Sequence, residues 1–334
     1  MDHRARVSKY RDELKGLAML WVLWFHSGLI LPGLPDDLRK LGYGGVDIFL
    51  FLMGMGLSYS LRRNGDLRAY LSRRMKKLLP AYLTVVVLWM AVSYPAMNLS
   101  AVQAVQGVAG NLFMVGYWLQ LPGVYTWFAN TVFTFALIAP AVYAVLEGGK
   151  TRGLIVLLAI AFGFGFAAIG MEQLMPASRF PIFILGMAFG LRQTSGKGAR
   201  QNILLALSLA AGLFLVEYCM HRRTDLLIGY GMYWYPFVLI TPPLCMGLAF
   251  LFRKAEKLER AFAPLRAVGR SSFEIYLVNV WIYELSKQYI VSAWMWALLC
   301  AGNLLLGVGL HLLIARISDR ISEKRPRESA QDAE

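Results

Sequence analysis

The sequence predicts an all-α, polytopic membrane protein with about ten transmembrane helices. Of the 334 residues, 57% are hydrophobic and only 16% are charged, and the mean hydropathy is +0.51. Apolar runs long enough to cross a bilayer recur along the chain, and basic residues cluster in alternate connections between these runs. These three observations exclude an ordinary soluble domain and indicate a chain that crosses the membrane many times.

Ten apolar runs are predicted to span the membrane, because about 17–25 mostly apolar residues cross its hydrocarbon core. They cover residues 14–31, 44–61, 78–97, 125–146, 152–170, 178–191, 201–217, 228–252, 272–290 and 293–315. A further stretch, 101–119, carries Gln103, Gln106 and Asn111. Its hydropathy alone does not decide whether it crosses.

The distribution of basic residues decides between the two topologies. With ten spans and a cytoplasmic N-terminus, 28 of the 34 Lys and Arg residues lie on the inner side, as the positive-inside rule expects. If 101–119 also crossed, the basic C-terminus would lie outside. We therefore predict that both termini are cytoplasmic and that 101–119 is a re-entrant or periplasm-side segment. At membrane depth such a segment is tolerated only if it is buried in protein or lines a cavity.

The chain is predicted to form one membrane domain, 1–322, followed by a polar cytoplasmic tail, 323–334. This topology, together with anionic lipid at the inner leaflet, explains the net charge of +14 without a nucleic-acid partner. The three cysteines have neither the number nor the spacing of a disulfide framework or a metal site. We expect no metal and no permanently bound cofactor.

His26 lies deep inside the first apolar run. A polar group in hydrocarbon costs several kcal/mol unless it is satisfied or used, so His26 is a candidate functional residue. The alternative is a hydrogen bond that only locks helix packing. Eleven positions separate His26 from Lys15, which at about 100° per residue places both on nearly the same helix face, roughly 16 Å apart.

Six local patterns follow one another along the chain and point to a family. They are Asp12-x-Leu14-Lys15-Gly16 followed by His26, Gly45-Val46-Asp47-Ile48-Phe49, Tyr70-x-x-Arg73-Arg74-x-x-Lys77-Leu78-Leu79-Pro80, Trp127-Phe128, Arg179-Phe180-Pro181 and Gly269-Arg270-Ser271-Ser272-Phe273. In this order they resemble the bacterial membrane acyltransferase-3 family, whose members are integral-membrane enzymes that acylate surface carbohydrate. The resemblance covers nearly the whole chain.

The resemblance implies that the donor is a cytoplasmic acyl-CoA, with acetyl-CoA expected, and that the acceptor is a hydroxyl of a cell-surface or lipid-linked carbohydrate. Acyl transfer from a thioester to a hydroxyl requires a base near pH 7, donors for the oxyanion and a basic site for the donor's phosphates. His26 is the expected base or transient acyl carrier. Arg73, Arg74 and Lys77, with Lys15, are expected to bind the phosphates rather than only to orient the protein.

Two carboxylates have a predicted role beside these cations and the histidine. Asp47 lies at a depth similar to that of His26, so it can orient the imidazole; capping of the second helix is the equal alternative. Asp12 can orient Lys15 at the i, i+3 spacing, or form an ion pair at the membrane interface.

Four residues are candidates for the outer side of the site. Arg179 can bind an acceptor sugar or stabilise an oxyanion, or it can extend to the membrane surface as a snorkelling cation. Asn111, Trp127 and Asn130 belong to a charge-free, aromatic outer region that suits a sugar, with an aromatic belt as the alternative.

Four positions depart from the family pattern. Lys15 and Lys77 replace arginines, which keeps the charge but loses the bidentate geometry. Val132 stands where many members carry Glu, and Asn279 stands where a second His is common.

The predicted function is a membrane O-acyltransferase, specifically an O-acetyltransferase, of the bacterial inner membrane. The competing hypothesis is a non-enzymatic transporter or flippase for a glycan or lipid-linked sugar. A third hypothesis, suggested by Val132 and Asn279, is an inactive acyltransferase fold that serves as a partner subunit.

Overall fold

The computed structural model describes residues 2–27, 29, 32–63, 65–192, 199–286 and 292–323. The described chain is helical, which confirms the predicted all-α fold. Lys287 and the predicted polar tail beyond residue 323 lie outside the described residues. The α-helices are α1 His3–Lys9, α2 Arg11–Phe25, α3 Leu34–Lys40, α4 Gly45–Arg63, α5 Leu67–Ser93, α6 Ala101–Leu112, α7 Trp127–Ala167, α8 Leu174–Ala177, α9 Phe180–Leu191, α10 Ala199–Arg222, α11 Thr224–Leu227, α12 Phe237–Lys254, α13 Ala263–Arg270, α14 Ser272–Ser286 and α15 Ala293–Glu323.

Seven helical segments of the described chain are long and apolar enough to cross a membrane. They are Leu34–Arg63, Leu67–Ala96, Trp127–Gly149, Leu174–Leu191, Ala199–Arg222, Phe237–Lys254 and Ala293–Arg320. The three other predicted spans fall on the shorter helices α2, Thr151–Ala167 and α14. The structure is therefore compatible with ten crossings.

The 41-residue helical stretch α7 does not run straight. The indole nitrogen of Trp118 donates to Thr134 Oγ1 over 2.8 Å, and the Trp118 ring lies 6.3 Å from the Phe164 ring. In a straight helix, residues 134 and 164 would be about 45 Å apart. The two halves therefore lie side by side, and the chain reverses between them near the Gly148-Gly149 pair, as the prediction of two separate spans requires.

The stretch 101–119 does not form a spanning helix. Its helix, α6, has 12 residues and is therefore only about 18 Å long. A capping box between Ser100 and Gln103 starts the helix, and the chain then folds back so that Gly110 packs against Gly116. A helix of this length is compatible with the predicted re-entrant or periplasm-side segment.

The close packing of α4 and α9 fixes the centre of the bundle. A Cβ atom on Gly186 would lie 2.1 Å from the Phe51 carbonyl oxygen, and one on Gly54 would lie 2.3 Å from the Phe183 carbonyl oxygen. Only glycine permits such an approach between the two backbones. Because the two helices run in the same direction, this packing brings Asp47 of α4 level with Arg179, which precedes α9.

A second glycine contact joins α2 to α13. A Cβ atom on Gly269 would lie 1.8 Å from the Asp12 carbonyl oxygen, and one on Gly16 would lie 2.2 Å from the Leu265 carbonyl oxygen. The contact brings Arg270 within 3.2 Å of the Asp12 carboxylate. The α2–α13 contact therefore places the Asp12-x-Leu14-Lys15-Gly16 pattern next to the Gly269-Arg270 pattern, although the two lie at opposite ends of the chain.

Candidate active site

A cavity of about 920 Å³ lies between α2, α4, α5, α7, α14 and α15. We call it the basic cavity, because six cationic side chains line it. These are Arg11, Lys15, Arg74, Lys76, Lys77 and Arg270. Glu274 is the one carboxylate among the lining residues. Such an excess of positive charge in a recess favours an anionic ligand. We refer to the end of the bundle that carries these six cations as the basic end.

Local contacts hold the cations of the basic cavity in place. Asp12 accepts a hydrogen bond from Lys15 Nζ over 3.3 Å and another from Arg270 Nε over 3.2 Å. The predicted i, i+3 contact between Asp12 and Lys15 is thus present, within a larger network. The Arg74 guanidinium lies 5.8 Å from the centre of the Tyr70 ring, and its buried Nε has no hydrogen-bond partner among the described residues. An unused buried donor beside a cavity is a group that a ligand can satisfy.

The predicted phosphate-binding residues differ in their position relative to the basic cavity. Lys15, Arg74 and Lys77 line the basic cavity, whereas Arg73 is exposed and is not one of its lining residues. Arg73 points elsewhere because consecutive helical residues are separated by about 100°. Arg11, Lys76 and Arg270 also line the cavity, and sequence analysis did not assign them to it. The Gly269-Arg270 pattern is the signal that could have identified Arg270.

The inner end of the basic cavity is apolar. Phe49, Met53, Phe128 and Val132 form its walls. The Phe128 ring packs against the ring of the buried Tyr276, with the ring centres 4.5 Å apart. The replacement of the family's Glu by Val132 thus makes this end of the cavity more apolar.

His26 lies at the C-terminal end of α2 and contacts α14. Its Nδ1 is 2.7 Å from the side-chain nitrogen of Asn279, and its ring stacks on Tyr283 with the ring centres 4.8 Å apart. Asn279 therefore orients the imidazole. With the Asn279 nitrogen donating, Nδ1 is the acceptor and Nε2 carries the proton. With the amide reversed, its oxygen accepts from Nδ1–H and Nε2 becomes free to take a proton, which is the arrangement that a base requires.

His26 is close to the basic cavity but does not line it. Glu274 lines the cavity and Asn279 contacts His26, and these two residues of α14 are separated by about 7.5 Å along the helix axis. Tyr276 lies between them. The part of the predicted groove that begins at Lys15 is therefore present, as the basic cavity. The Phe128 and Tyr276 rings lie where this cavity comes closest to His26.

The prediction that Asp47 pairs with His26 is wrong, because Asp47 has a different partner. The charged partner of Asp47 is Arg179, whose Nε is 3.9 Å from Asp47 Oδ2, and the side chains are 2% and 1% exposed. Arg179 also lies between the Trp127 and Trp234 rings, at 4.9 and 5.3 Å from their centres. The tight α4–α9 packing brings Asp47 and Arg179 together. The side-chain partner of the His26 imidazole is Asn279 instead.

Burial of Arg179 also decides between two of its predicted roles. A snorkelling cation at the membrane surface would be exposed, so that alternative is wrong. The separation of 3.9 Å is too long for a hydrogen bond. Asp47 Oδ2 and Arg179 Nε are accordingly buried without hydrogen-bond partners among the described residues.

The side chains of Asn111 and Asn130 are used inside the fold rather than presented to an acceptor. The Asn111 amide donates to the Gly107 and Gly123 carbonyls and accepts from the Tyr125 backbone nitrogen. Asn130 donates to the Thr126 carbonyl. Both side chains are fully buried. The prediction that they bind a sugar is therefore corrected to a structural role in holding the stretch around 101–126. The Trp127 ring, in contrast, is partly exposed, and its centre lies 4.9 Å from the Arg179 guanidinium carbon.

His311 has a partner that the sequence did not reveal. Its Nδ1 lies 3.0 Å from Glu274 Oε1, and both residues line the basic cavity. The two positions lie on different helices, α14 and α15, so helical periodicity could not relate them.

A smaller hollow of about 440 Å³ lies on the connections that surround 117–124 and 172. Its lining residues are Tyr117, Gln120, Leu121, Val124 and Glu172. It is separate from the basic cavity, with which it shares no lining residue.

Comparison with known protein families gives one match. The model of the acyltransferase-3 family, described as an acyltransferase domain, matches residues 9–314. No curated protein and no solved structure gives a significant match. The matched region includes the cations of the basic cavity, His26, the Asp47–Arg179 pair and α14. The chain therefore belongs to the acyltransferase-3 family.

Proposed function

We propose that this membrane acyltransferase transfers an acyl group from cytoplasmic acyl-CoA to a hydroxyl of a cell-surface or lipid-linked carbohydrate. The family resemblance favours acetyl-CoA within this class, which would make the protein an O-acetyltransferase. The observation that carries the proposal is the basic cavity, whose six cations lie at one end and whose apolar wall leads toward His26. Family membership favours an enzyme over a transporter.

The donor's phosphates would bind Lys15, Arg74 and Lys77, with the pantetheine arm along the apolar wall. Charge-assisted hydrogen bonds between these side chains and phosphate oxygens supply the affinity. The thioester then lies at the Phe128 and Tyr276 rings, one helical turn of α14 from Asn279. The distribution of basic residues supports a basic end that faces the cytoplasm, and with it an inner-membrane location.

His26 acts as the general base in the proposed transfer step. Its Nε2 takes the proton of the acceptor hydroxyl while the oxygen attacks the thioester carbonyl carbon. The carbon–sulfur bond then breaks, and the CoA thiolate leaves with the proton returned by the imidazole. Asn279 holds the imidazole by its Nδ1, and the buried Arg179 supplies positive charge beyond it. The alternative order, in which His26 first accepts the acyl group, uses the same residues.

The experiment is an acyl-transfer and thioester-hydrolysis assay with the purified protein in nanodiscs, on wild type, His26→Ala and His26→Gln. Loss of a general base costs about 10²–10⁴-fold in rate, so both variants should lose turnover by at least 100-fold. Their affinity for CoA should stay within twofold of wild type, because His26 does not line the basic cavity. Wild-type turnover in His26→Ala would refute the assignment.

A further inference from the structure

The basic cavity opens sideways between α5 and α15. Pro80 and Thr84 on α5 and Ala315 and Ile317 on α15 line the cavity and are also exposed, as are three of the cationic residues at its basic end. Ile317 is 49% exposed. Residues that belong to both the cavity wall and the outer surface mark an opening, which we call the side opening.

At Thr84 the side opening borders the lipid-facing surface, and beside Arg316 it reaches the membrane surface. Both helices belong to segments that are long and apolar enough to cross the membrane. Their outward faces carry large exposed apolar side chains, namely Leu88 on α5 and Leu312 and Leu313 on α15. In a membrane protein such surfaces lie against the acyl chains of the bilayer. A molecule held in the basic cavity can therefore extend into the hydrocarbon without leaving the protein.

The walls of the opening combine two chemistries. Pro80, Leu83 and Ile314 are apolar, whereas the hydrogen-bonded pair of Glu274 and His311 lies in the same wall. Polar pairs within membrane-spanning helices are costly and mark functional paths. A cation-rich end and an apolar exit match an amphiphile with an anionic head and an alkyl tail.

We propose that the donor is an acyl-CoA with a medium or long alkyl chain, and that this chain passes through the side opening into the bilayer. The inference rests on the proposed function: it keeps the acyl-CoA donor and the hydroxyl acceptor, and it replaces the acetyl group by a longer acyl chain. An acetyl group has no need of an exit to lipid, whereas a chain of eight carbons or more gains free energy by leaving water for the hydrocarbon. The positive charge of the basic cavity favours binding of the CoA phosphates, and the side opening favours a long acyl chain.

The test compares the affinities of acetyl-CoA and octanoyl-CoA for the full chain in nanodiscs of neutral lipid, with empty nanodiscs as the background. Each methylene that leaves water gains about three- to fourfold in affinity. Even partial burial of six added methylenes should therefore make octanoyl-CoA bind at least tenfold more tightly than acetyl-CoA. Equal affinities in the wild type would overturn the inference.

Thr84→Trp and Leu88→Trp form a matched pair of variants. Both residues are exposed on the same side of α5, one turn apart, but only Thr84 lines the basic cavity. Thr84→Trp should remove the advantage of octanoyl-CoA over acetyl-CoA, and a monodisperse size-exclusion profile with a wild-type unfolding midpoint shows that the variant folds. Leu88→Trp should change neither affinity. An octanoyl-CoA advantage that survives Thr84→Trp would contradict passage of the chain through the side opening.

Two further outcomes identify which proposal fails. If the wild type binds neither thioester, the proposed function itself is refuted. If both thioesters bind equally and anionic phospholipid in the nanodisc displaces them from wild type but not from Thr84→Trp, the opening admits a lipid and the donor-chain inference is overturned.

Discussion

Removal of the Asp47 charge is expected to destabilise the protein severely. Asp47 and Arg179 are 3.9 Å apart, and both are almost fully buried. At an effective dielectric constant of about 20, this separation corresponds to an attraction of about 4 kcal/mol. Asp47→Asn leaves the guanidinium buried without a counter-charge. We therefore expect the free energy of unfolding to fall by about 3–5 kcal/mol.

The assay is equilibrium unfolding in mixed micelles, and the design is a double-mutant cycle. Arg179→Met alone should cost a similar amount, whereas Asp47→Asn combined with Arg179→Met should recover most of the loss, since no charge then stays buried and unpaired. The control is Arg223→Met, which removes an exposed ion pair with Asp225 and should leave stability unchanged. An Asp47→Asn variant as stable as this control, or strictly additive losses in the double variant, would refute the reasoning.

Three other predictions follow from the packing and the hydrogen bonds. Gly186→Ala should lower the free energy of unfolding by about 1–3 kcal/mol, because the added Cβ meets the Phe51 carbonyl oxygen. The control Gly163→Ala, which has open space around its Cβ, should leave the free energy of unfolding unchanged. Equal effects of the two variants in the same unfolding assay would count against the α4–α9 contact. Asn111→Ala should expose the stretch around 101–126 to limited proteolysis without raising the KM for acceptor, whereas a raised KM with unchanged proteolysis would restore its acceptor role. Asn279→Leu should lower kcat at least tenfold with CoA affinity unchanged, and wild-type kcat would show that it does not orient His26.

The sequence predicts the fold class well because hydropathy and charge act locally. Apolar runs of sufficient length identify the candidate spans, and the asymmetry of Lys and Arg favours a topology in which 101–119 does not cross. The helical pattern also relates Lys15 to Asp12, which are one turn apart in α2.

The partners of the site residues could not be predicted in the same way, because they lie on different helices. His26 and Asn279 are 253 positions apart, and the position of Asn279 was notable only as a departure from the family pattern. Asp47 meets Arg179 because glycines bring α4 and α9 together. Arg73 and Arg74 look equivalent in sequence, and only the rotation of α5 about its axis separates the exposed residue from the one that lines the cavity.

Binding of CoA tests the central claim, that the basic cavity holds an acyl-CoA donor, most directly. The measurement is the dissociation constant of CoA for wild type, Arg74→Ala and Arg73→Ala in nanodiscs at low salt. A lost hydrogen bond to a charged group costs about 1.5–3 kcal/mol, so Arg74→Ala should bind CoA at least tenfold more weakly, while the exposed Arg73→Ala should stay within twofold of wild type. A wild-type protein that does not bind CoA, or equal losses in the two variants, would contradict the account.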